Sequence, residues 1–262
     1  MKTTIYFYSC IFMIILLVSS CGKDEIKTGK LIFTAVKTMP AKKSIQNINE
    51  TTTNNFKDGT ITMHTINLKL TVTEIWVSQG EVTEGSPNNL IWHLIGQNND
   101  LKYFDEYAFT VDALPAGVYK SIKMVFKNIW YRVAVLQSDT SEVMELRENM
   151  GTSDCSYEGT IPASFFSTGG NYKINENGKF YLTSSGEKVG GFEIQENKIA
   201  KVYWKLGGTS NIPITACTFD WVDVNNNGVW DCGTDRTDNF NCPPGVDVMW
   251  GFIVKYEDIP KQ

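Results

Sequence analysis

Alternation of apolar and polar residues is the feature that most restricts the fold of this chain. In “VYKSIKMVFK” the apolar residues Ile122, Met124 and Phe126 alternate with more polar neighbours, and residues 200–206 and 247–256 have the same period of two. Successive side chains of a β-strand point to opposite faces, so this period indicates strands with one buried face. Helical periodicity is scarce, and we expect a chain rich in β-structure.

One strand candidate changes phase along its length. In “INLKLTVTEIWVS” the apolar positions Leu68, Leu70 and Val72 give way to Ile75 and Val77. An extra residue in a strand shifts the alternation by one position, so the segment predicts a β-bulge or a strand that passes between two sheets.

Many short strands separated by glycine-rich turns indicate an all-β fold. We expect a β-sandwich or a Greek-key barrel-like domain over residues 30–207. Residues 208–262 are expected to form a disulfide-stapled extension with a calcium-type loop and the final strand of the same fold. A short helix is expected around Leu101 and Phe104.

The N-terminal segment predicts export. After a short basic start, the apolar run from Ile5 to Val18 contains no acidic residue and leads into “VSSC”. Its length of about 14 residues is below the roughly 20 that a spanning helix needs, and the pattern is typical of a signal peptide over residues 1–20. Because “VSSC” resembles the bacterial lipobox, Cys21 is the predicted lipidation site; the alternative is an ordinary signal peptide with a coincidental cysteine.

Residues 21–29 are predicted to be the lipidated cysteine and a charged tether, so the chain would reach the membrane through its N-terminal lipid. The sequence Lys23-Asp24-Glu25 resembles a surface-export signal of lipoproteins in some Gram-negative bacteria, and the alternative is a solvated linker. We therefore expect an outer-membrane protein displayed at the cell surface, or else on the periplasmic face.

Charge argues against nucleic acid as a partner. The chain has 24 Lys and Arg against 29 Asp and Glu, a formal net charge of −5, whereas phosphate contacts require clustered basic side chains. A negative balance is compatible with a protein that binds cations.

Cysteine usage agrees with an exported chain. Four cysteines follow the predicted lipidation site, which favours two disulfides with three possible connectivities. Their spacing weakly favours pairing within 232–242 and within 155–217, and a zinc site is the competing use, although no Cys-x-x-Cys pair exists. The four are Cys155, Cys217, Cys232 and Cys242.

A series of segments resembles a known bacterial family. They are “KLIFTAVKTMP”, “LKLTVTEIWVSQG”, “IWHLI”, “ALPAGVYKSIKMVF” and “FEIQENKIAKVYWKL”, with Leu114-Pro115-Ala116-Gly117 as the best motif. In this order they resemble the domain of unknown function 4382, over about residues 30–207. The resemblance implies a β-rich domain of a lipid-anchored envelope protein, and it implies no activity.

The segment “DVNNNGVWD” has the spacing of a calcium loop. Alternate side chains of such a loop supply oxygens, a glycine makes the sharp turn, and the residue after it offers its backbone carbonyl. A bidentate glutamate normally completes the shell at position 12, which here is Thr234, and Asp235, Asp220 or Asp238 could substitute. The predicted Ca²⁺ ligands are Asp223, Asn225, Asn227, Val229, Asp231, Thr234 and Asp235, with Gly228 at the turn.

Few carboxylates in this set predict weak affinity, in the range of about 10⁻⁴–10⁻³ M found for extracellular modules. The alternative is a metal-free hairpin in which Asn227-Gly228 is a two-residue turn between “TFDWVDV” and “VW”. In either case the segment would be structural, with three cysteines around it.

Tryptophans suggest a second kind of site, because flat aromatic faces stack on sugar rings. Four of them lie in strand-like segments and are expected in the core: Trp76, Trp92, Trp204 and Trp250. Trp221 and Trp230 flank the loop and are the candidates for an exposed glycan platform, with packing against the loop as the alternative.

Motifs of common enzymes are absent from the sequence: there is no Gly-x-Ser-x-Gly, His-Glu-x-x-His or P-loop. We therefore expect no enzymatic activity. The expected function is that of a lipid-anchored envelope protein with structural Ca²⁺ and a binding or adhesion role towards a glycan or a surface protein. The alternative is a carbohydrate-binding surface lipoprotein of a nutrient-capture system, and a hydrolase with paired acids is a third hypothesis.

Overall fold

A computed structural model of the protein describes residues 26–37, 60–82, 89–141, 143–150, 155–161, 163–167, 182–184, 187–188, 191–206, 214–242 and 251–259. The predicted signal peptide, Cys21, residues 22–25 of the predicted tether and Trp250 lie outside this part of the chain.

The described residues form an almost entirely β structure, as predicted, with sixteen strands and two short 3-10 helices. The strands are β1 (Thr28–Lys37), β2 (Thr60–Ser78), β3 (His93–Gln97), β4 (Lys102–Tyr103), β5 (Ala108–Pro115), β6 (Gly117–Tyr119), β7 (Ser121–Leu136), β8 (Val143–Asn149), β9 (Ser164–Ser167), β10 (Leu182–Ser184), β11 (Glu187–Lys188), β12 (Phe192–Ile194), β13 (Lys198–Leu206), β14 (Thr218–Val222), β15 (Arg236–Asn241) and β16 (Gly251–Asp258). The helices are Phe104–Glu106, where a short helix was expected, and Ile214–Ala216. None of the described residues belongs to a helix of sufficient length and apolarity to cross a membrane.

Two sheets account for most of the strands. The first has six strands in the order β11-β10-β16-β13-β1-β5, in which β1 and β13 are parallel, as are β10 and β16. The second has eight strands in the order β15-β14-β2-β7-β8, with β3 and β4 also paired to β2 and β9 paired to β7. β6 and β12 form a separate antiparallel pair.

The main core joins the inner faces of the two sheets, as in a β-sandwich. Phe33, Trp204 and Phe252 from the first sheet share one buried cluster with Val72 and Met124 from the second, and all five are 0% exposed. Burying a large apolar side chain contributes about 1.5–3 kcal/mol, so this cluster is the principal source of stability.

The phase change in β2 is produced by bulges. The register between β2 and β7 shifts between Thr65 and Asn67, between Leu70 and Val72, and again between Val72 and Glu74. These irregularities keep Leu70 and Ile75 on the core side of one continuous 19-residue strand. The sequence-based prediction of a bulge is confirmed.

A second, smaller core lies towards the C-terminal hairpin. It contains Met63, Ala134, Leu146, Phe219 and Trp221, which come from β2, β7, β8 and β14. The residues after 207 complete both sheets, because β14 pairs with β2 and β16 pairs with β13.

Candidate metal centre

The predicted calcium loop connects two paired strands. β14 and β15 are antiparallel, with Val222 opposite Arg236, so residues 223–235 form the connection between them. The chain reverses here, but Asn227-Gly228 is not a two-residue hairpin turn and “VW” is not a strand. The predicted two-residue hairpin at Asn227-Gly228 is therefore wrong, because the connection contains thirteen residues with their own internal hydrogen bonds.

Asp223 holds the first half of the loop. Its side chain is buried, and its two carboxylate oxygens accept the backbone N–H groups of Asn227 at 3.2 Å and Gly228 at 2.7 Å. Gly228 has φ +75°, in the left-handed region that a Cβ disfavours. The aspartate and the glycine therefore take the positions that the calcium-loop spacing predicts for them.

Three predicted ligands come together at the mouth of the loop. The side-chain amides of Asn225 and Asn227 both donate to Asp231 Oδ2, at 2.7 Å and 2.6 Å. The amide oxygens face the backbone, where Asn225 Oδ1 accepts from Asn227 and Asn227 Oδ1 accepts from Val229. Two amide groups and one carboxylate thus converge on one point.

The carboxylate of Asp235, which was predicted to be a metal ligand, accepts hydrogen bonds within the hairpin. Its buried carboxylate accepts Val224 N–H at Oδ1, and the N–H groups of Trp221 (Nε1) and Asp231 at Oδ2, each at 3.0 Å. Thr234 is exposed, and its backbone N–H donates to the Asp231 carbonyl. Asp235 closes the loop onto the hairpin, and neither residue supplies an unengaged carboxylate at position 12.

The other substitutes for position 12 point elsewhere. Asp220 accepts hydrogen bonds from Asn239 and from Thr62, both at 2.8 Å, and these bonds lower the pKa of its carboxyl. Asp238 forms a salt bridge with Arg236 at 2.8 Å. Both carboxylates therefore stabilise the hairpin.

Charge in the loop is not neutralised by basic side chains. Asp223, Asp231 and Asp235 form no salt bridge with any residue that the structure describes. Among the described residues, no three His, Cys, Asp or Glu side chains are placed together to hold a metal ion. A cation here would therefore depend on the asparagines and on backbone carbonyls as well.

Disulfides tie the hairpin to its surroundings. Cys155 pairs with Cys232 at the end of the loop, and Cys217 pairs with Cys242 across the base of the hairpin, with Cα–Cα distances of 5.8 Å and 4.2 Å. The two predicted disulfides are present, but the favoured pairing within 232–242 and within 155–217 is wrong. Cys217 precedes Thr218, which lies opposite Asn241, so strand pairing brings Cys242 to it.

The predicted glycan platform is wrong for Trp221. This side chain is 0% exposed and packs in the second core, with its ring centroid 6.0 Å from that of Trp230. Trp230 is half-buried, and its Nε1 donates to the Arg147 carbonyl at 2.8 Å. Trp221 on β14 and Trp230 in the loop therefore pack the loop against the second core.

Two tryptophans expected in the core are only partly buried. Trp204 is fully buried as expected, but Trp76 and Trp92 are half-buried and both lie beside Lys123. The sequence carried a signal for Trp76, since it lies between the core residues Ile75 and Val77 and must face the other way.

Comparison with known proteins yields no relative: no family model, no curated protein and no solved structure matches the chain. The resemblance to the domain of unknown function 4382 therefore stays a prediction.

Proposed function

We propose that residues 223–235 hold one Ca²⁺ ion. The observation that carries the proposal is the convergence of the Asn225 and Asn227 amides on the Asp231 carboxylate. The loop also contains three carboxylates that no salt bridge neutralises within the described part of the chain. A divalent cation would offset this charge, and oxygen-rich loops of this spacing suit calcium.

A rotation of about 180° at each amide exchanges its nitrogen for its oxygen and would present two carbonyl oxygens beside Asp231. This rotation breaks the hydrogen bonds that the two oxygens accept from the backbone N–H groups of Asn227 and Val229, so the cation would have to offset their loss. The carboxylate of Asp223 and the backbone carbonyl of Val229 are the other oxygen ligands that the calcium-loop spacing predicts. Asp235 is engaged in closing the loop, so we expect two ligating carboxylates and an affinity near the weak range of about 10⁻⁴–10⁻³ M.

The role of the ion would be structural. The Cys155–Cys232 disulfide and the hydrogen bond from Trp221 to Asp235 hold the C-terminal end of the loop in place. Calcium would stiffen the residues of the loop that precede Cys232. We propose the non-enzymatic role of a lipid-anchored envelope protein, attached through Cys21, for the chain as a whole. The “VSSC” sequence and the disulfides support this address.

A melting experiment tests the calcium site. With a dissociation constant of about 0.5 mM, adding about 5 mM CaCl₂ stabilises the folded state by about 1.4 kcal/mol, which raises Tm by about 3–5 °C in a chain of this size. Asp231→Asn should abolish the rise, because it removes a ligating charge and keeps the side-chain shape. Asp238→Asn, outside the loop, should keep it; a wild-type Tm indifferent to calcium would refute the site.

A second candidate function, carbohydrate binding, is favoured by the surface around Lys123. Trp76 and Trp92 flank the ammonium group of this lysine, and such an arrangement of partly exposed aromatic and polar groups suits a sugar. Binding would support the alternative of a carbohydrate-binding surface lipoprotein. Affinity electrophoresis of the protein in gels that contain plant or animal polysaccharides tests it, and migration unchanged by every polysaccharide contradicts it.

A further inference from the structure

The outer face of the eight-stranded sheet carries a compact group of two tryptophans and a lysine. Trp76 on β2 lies directly opposite Lys123 on β7 in the strand register. The Nζ atom of Lys123 is 4.4 Å from the ring centroid of Trp76 and 5.3 Å from that of Trp92. Both distances fall within the range of a cation–π contact, so the three side chains form one surface, the Trp76–Lys123–Trp92 surface.

This surface faces away from the core. The neighbours of Trp76 along the strand, Ile75 and Val77, are 0% exposed, so Trp76 points to the opposite side of the sheet. Leu94, paired with Trp76 from β3, is 36% exposed, and Ile91 is 78% exposed. The partly exposed Leu94 side chain thus extends the aromatic surface beside Trp76.

Lys123 forms no salt bridge with any residue that the structure describes. The carboxylate of Glu74 accepts the Trp76 indole N–H at 2.7 Å and acts on Lys123 only through its charge. Burial lowers the pKa of Lys123, while the charge of Glu74 opposes that shift. A partly desolvated ammonium group between two aromatic rings gains an ion pair when an anion arrives.

Lys69, on the same pair of strands, is a lysine whose ammonium group has a carboxylate partner. Its ammonium group also lies over two aromatic rings, those of Tyr103 and Tyr131, but it forms a salt bridge with Glu145 at 3.2 Å. Lys123 forms no such salt bridge within the described part of the chain, so its ammonium group can pair with an external carboxylate.

We propose that the Trp76–Lys123–Trp92 surface binds a saccharide that carries a carboxylate, such as a hexuronate unit of an acidic glycan. The carboxylate pairs with the ammonium group of Lys123, and the C–H face of the sugar ring packs on the indoles. Glu74 has acceptor sites beyond the one that Trp76 uses, and these take the hydroxyl donors of the sugar. The inference rests on the binding role proposed above but not on the calcium site.

Binding is measured by tryptophan fluorescence and calorimetry on the full chain, with oligosaccharides of galacturonate, mannuronate and glucuronate and their uncharged counterparts. We expect one of the three uronates to bind at least tenfold more tightly than its uncharged counterpart. Tricarballylate, which carries carboxylates without a sugar ring, should not compete at equal concentration.

Variants assign the site. Lys123→Met and Trp76→Ala should each weaken uronate binding at least tenfold, whereas Lys69→Met should leave it unchanged. A circular dichroism spectrum equal to that of the wild type shows that a variant is folded. If Trp76→Ala does not fold, Lys123→Met still tests the site, because methionine keeps the unbranched side chain and removes only its charge. Failure to bind any of the three uronates, equal binding of the uncharged sugars or of tricarballylate, or an unchanged affinity in Lys123→Met would overturn the proposal.

Repeating the titration with EDTA separates this proposal from that of the calcium site. Uronate binding should persist without calcium, and a requirement for calcium would contradict direct recognition by Lys123. The calcium-dependent rise in Tm is measured without any sugar, so either proposal can fail while the other stands.

Discussion

Asp235 accepts the indole N–H of Trp221 at 3.0 Å, although the two residues stand at opposite ends of the loop connection. The same carboxylate binds the backbone N–H groups of Val224 and Asp231. Since Trp221 and Asp235 are both buried, this one side chain satisfies three donors and joins the loop to the second core. The loop geometry therefore depends on Asp235 before any ion is considered.

Replacing Asp235 with alanine should lower the free energy of unfolding by about 2–4 kcal/mol, because it leaves buried donors without an acceptor. Urea denaturation followed by tryptophan fluorescence measures the change. Asp238→Ala is the matched control, since it removes an exposed salt bridge worth no more than about 1 kcal/mol. Equal effects of the two variants would contradict the assigned role of Asp235.

Removing each disulfide should reveal how far it constrains the unfolded chain. Loop-closure entropy gives about 3.5 kcal/mol for Cys217–Cys242 and about 4.5 kcal/mol for Cys155–Cys232, because stabilisation rises with the length of the closed loop; these disulfides span separations of 25 and 77 residues. We expect the Cys155→Ala/Cys232→Ala variant to be the less stable of the two double variants in urea. A reversed order would show that local packing outweighs chain entropy.

A largely buried ion pair lies where β7 pairs with β8. Arg132 binds Glu148 through two hydrogen bonds, at 2.8 Å and 3.1 Å, and its guanidinium packs on Phe219 and Phe240. Glu148→Gln should destabilise the protein by about 3–5 kcal/mol, because it leaves a buried charge without its partner. The measurement is the urea midpoint at constant m-value, and a loss below about 1 kcal/mol, typical of a surface pair, would refute the prediction.

Asp105 should make stability depend on pH in the acid range. Burial raises the pKa of its carboxyl, but hydrogen bonds from Lys37 and Asn67 outweigh burial and bring the pKa below its ordinary value of 3.8. Such a group contributes stability that is present above its unfolded pKa, about 3.9, and lost as pH falls through the lower folded pKa.

Asp105→Asn should therefore be less stable than the wild type at pH 7, and the difference should stay constant down to about pH 4 and shrink below it. Urea unfolding of both proteins at a series of pH values checks this. A difference that shrinks between pH 7 and pH 5, or persists unchanged at pH 2.5, would contradict the assigned ion pair with Lys37.

Much of the fold follows from local patterns. Period-two alternation identified the segments of β7, β13 and β16, and the phase change at Leu70 to Ile75 identified the bulged strand. The spacing of Asp223 and Gly228 correctly placed the sharp turn of the loop. These features depend on neighbouring residues, so the sequence carries them directly.

Features that depend on distant contacts could not be predicted in the same way. Alternation does not distinguish parallel from antiparallel pairing, so the parallel alignment of β1 with β13 was not foreseen. The four cysteines allowed three connectivities, and only the register of β14 and β15 brings Cys217 to Cys242. Trp92 precedes β3, where no alternation indicates the direction of a side chain, and it is half-buried rather than in the core.

Terbium luminescence reports whether the loop holds an ion, because Tb³⁺ occupies oxygen-rich calcium sites and is excited by a tryptophan close to the ion. Trp230 belongs to the loop, and Trp221 is hydrogen-bonded to the loop residue Asp235. We expect tryptophan-excited emission that saturates at one Tb³⁺ per chain, is displaced by millimolar Ca²⁺ and is at least tenfold weaker in Asp231→Asn. Emission that is absent, that resists calcium, or that is equal in Asp231→Asn would mean that the loop holds no calcium ion.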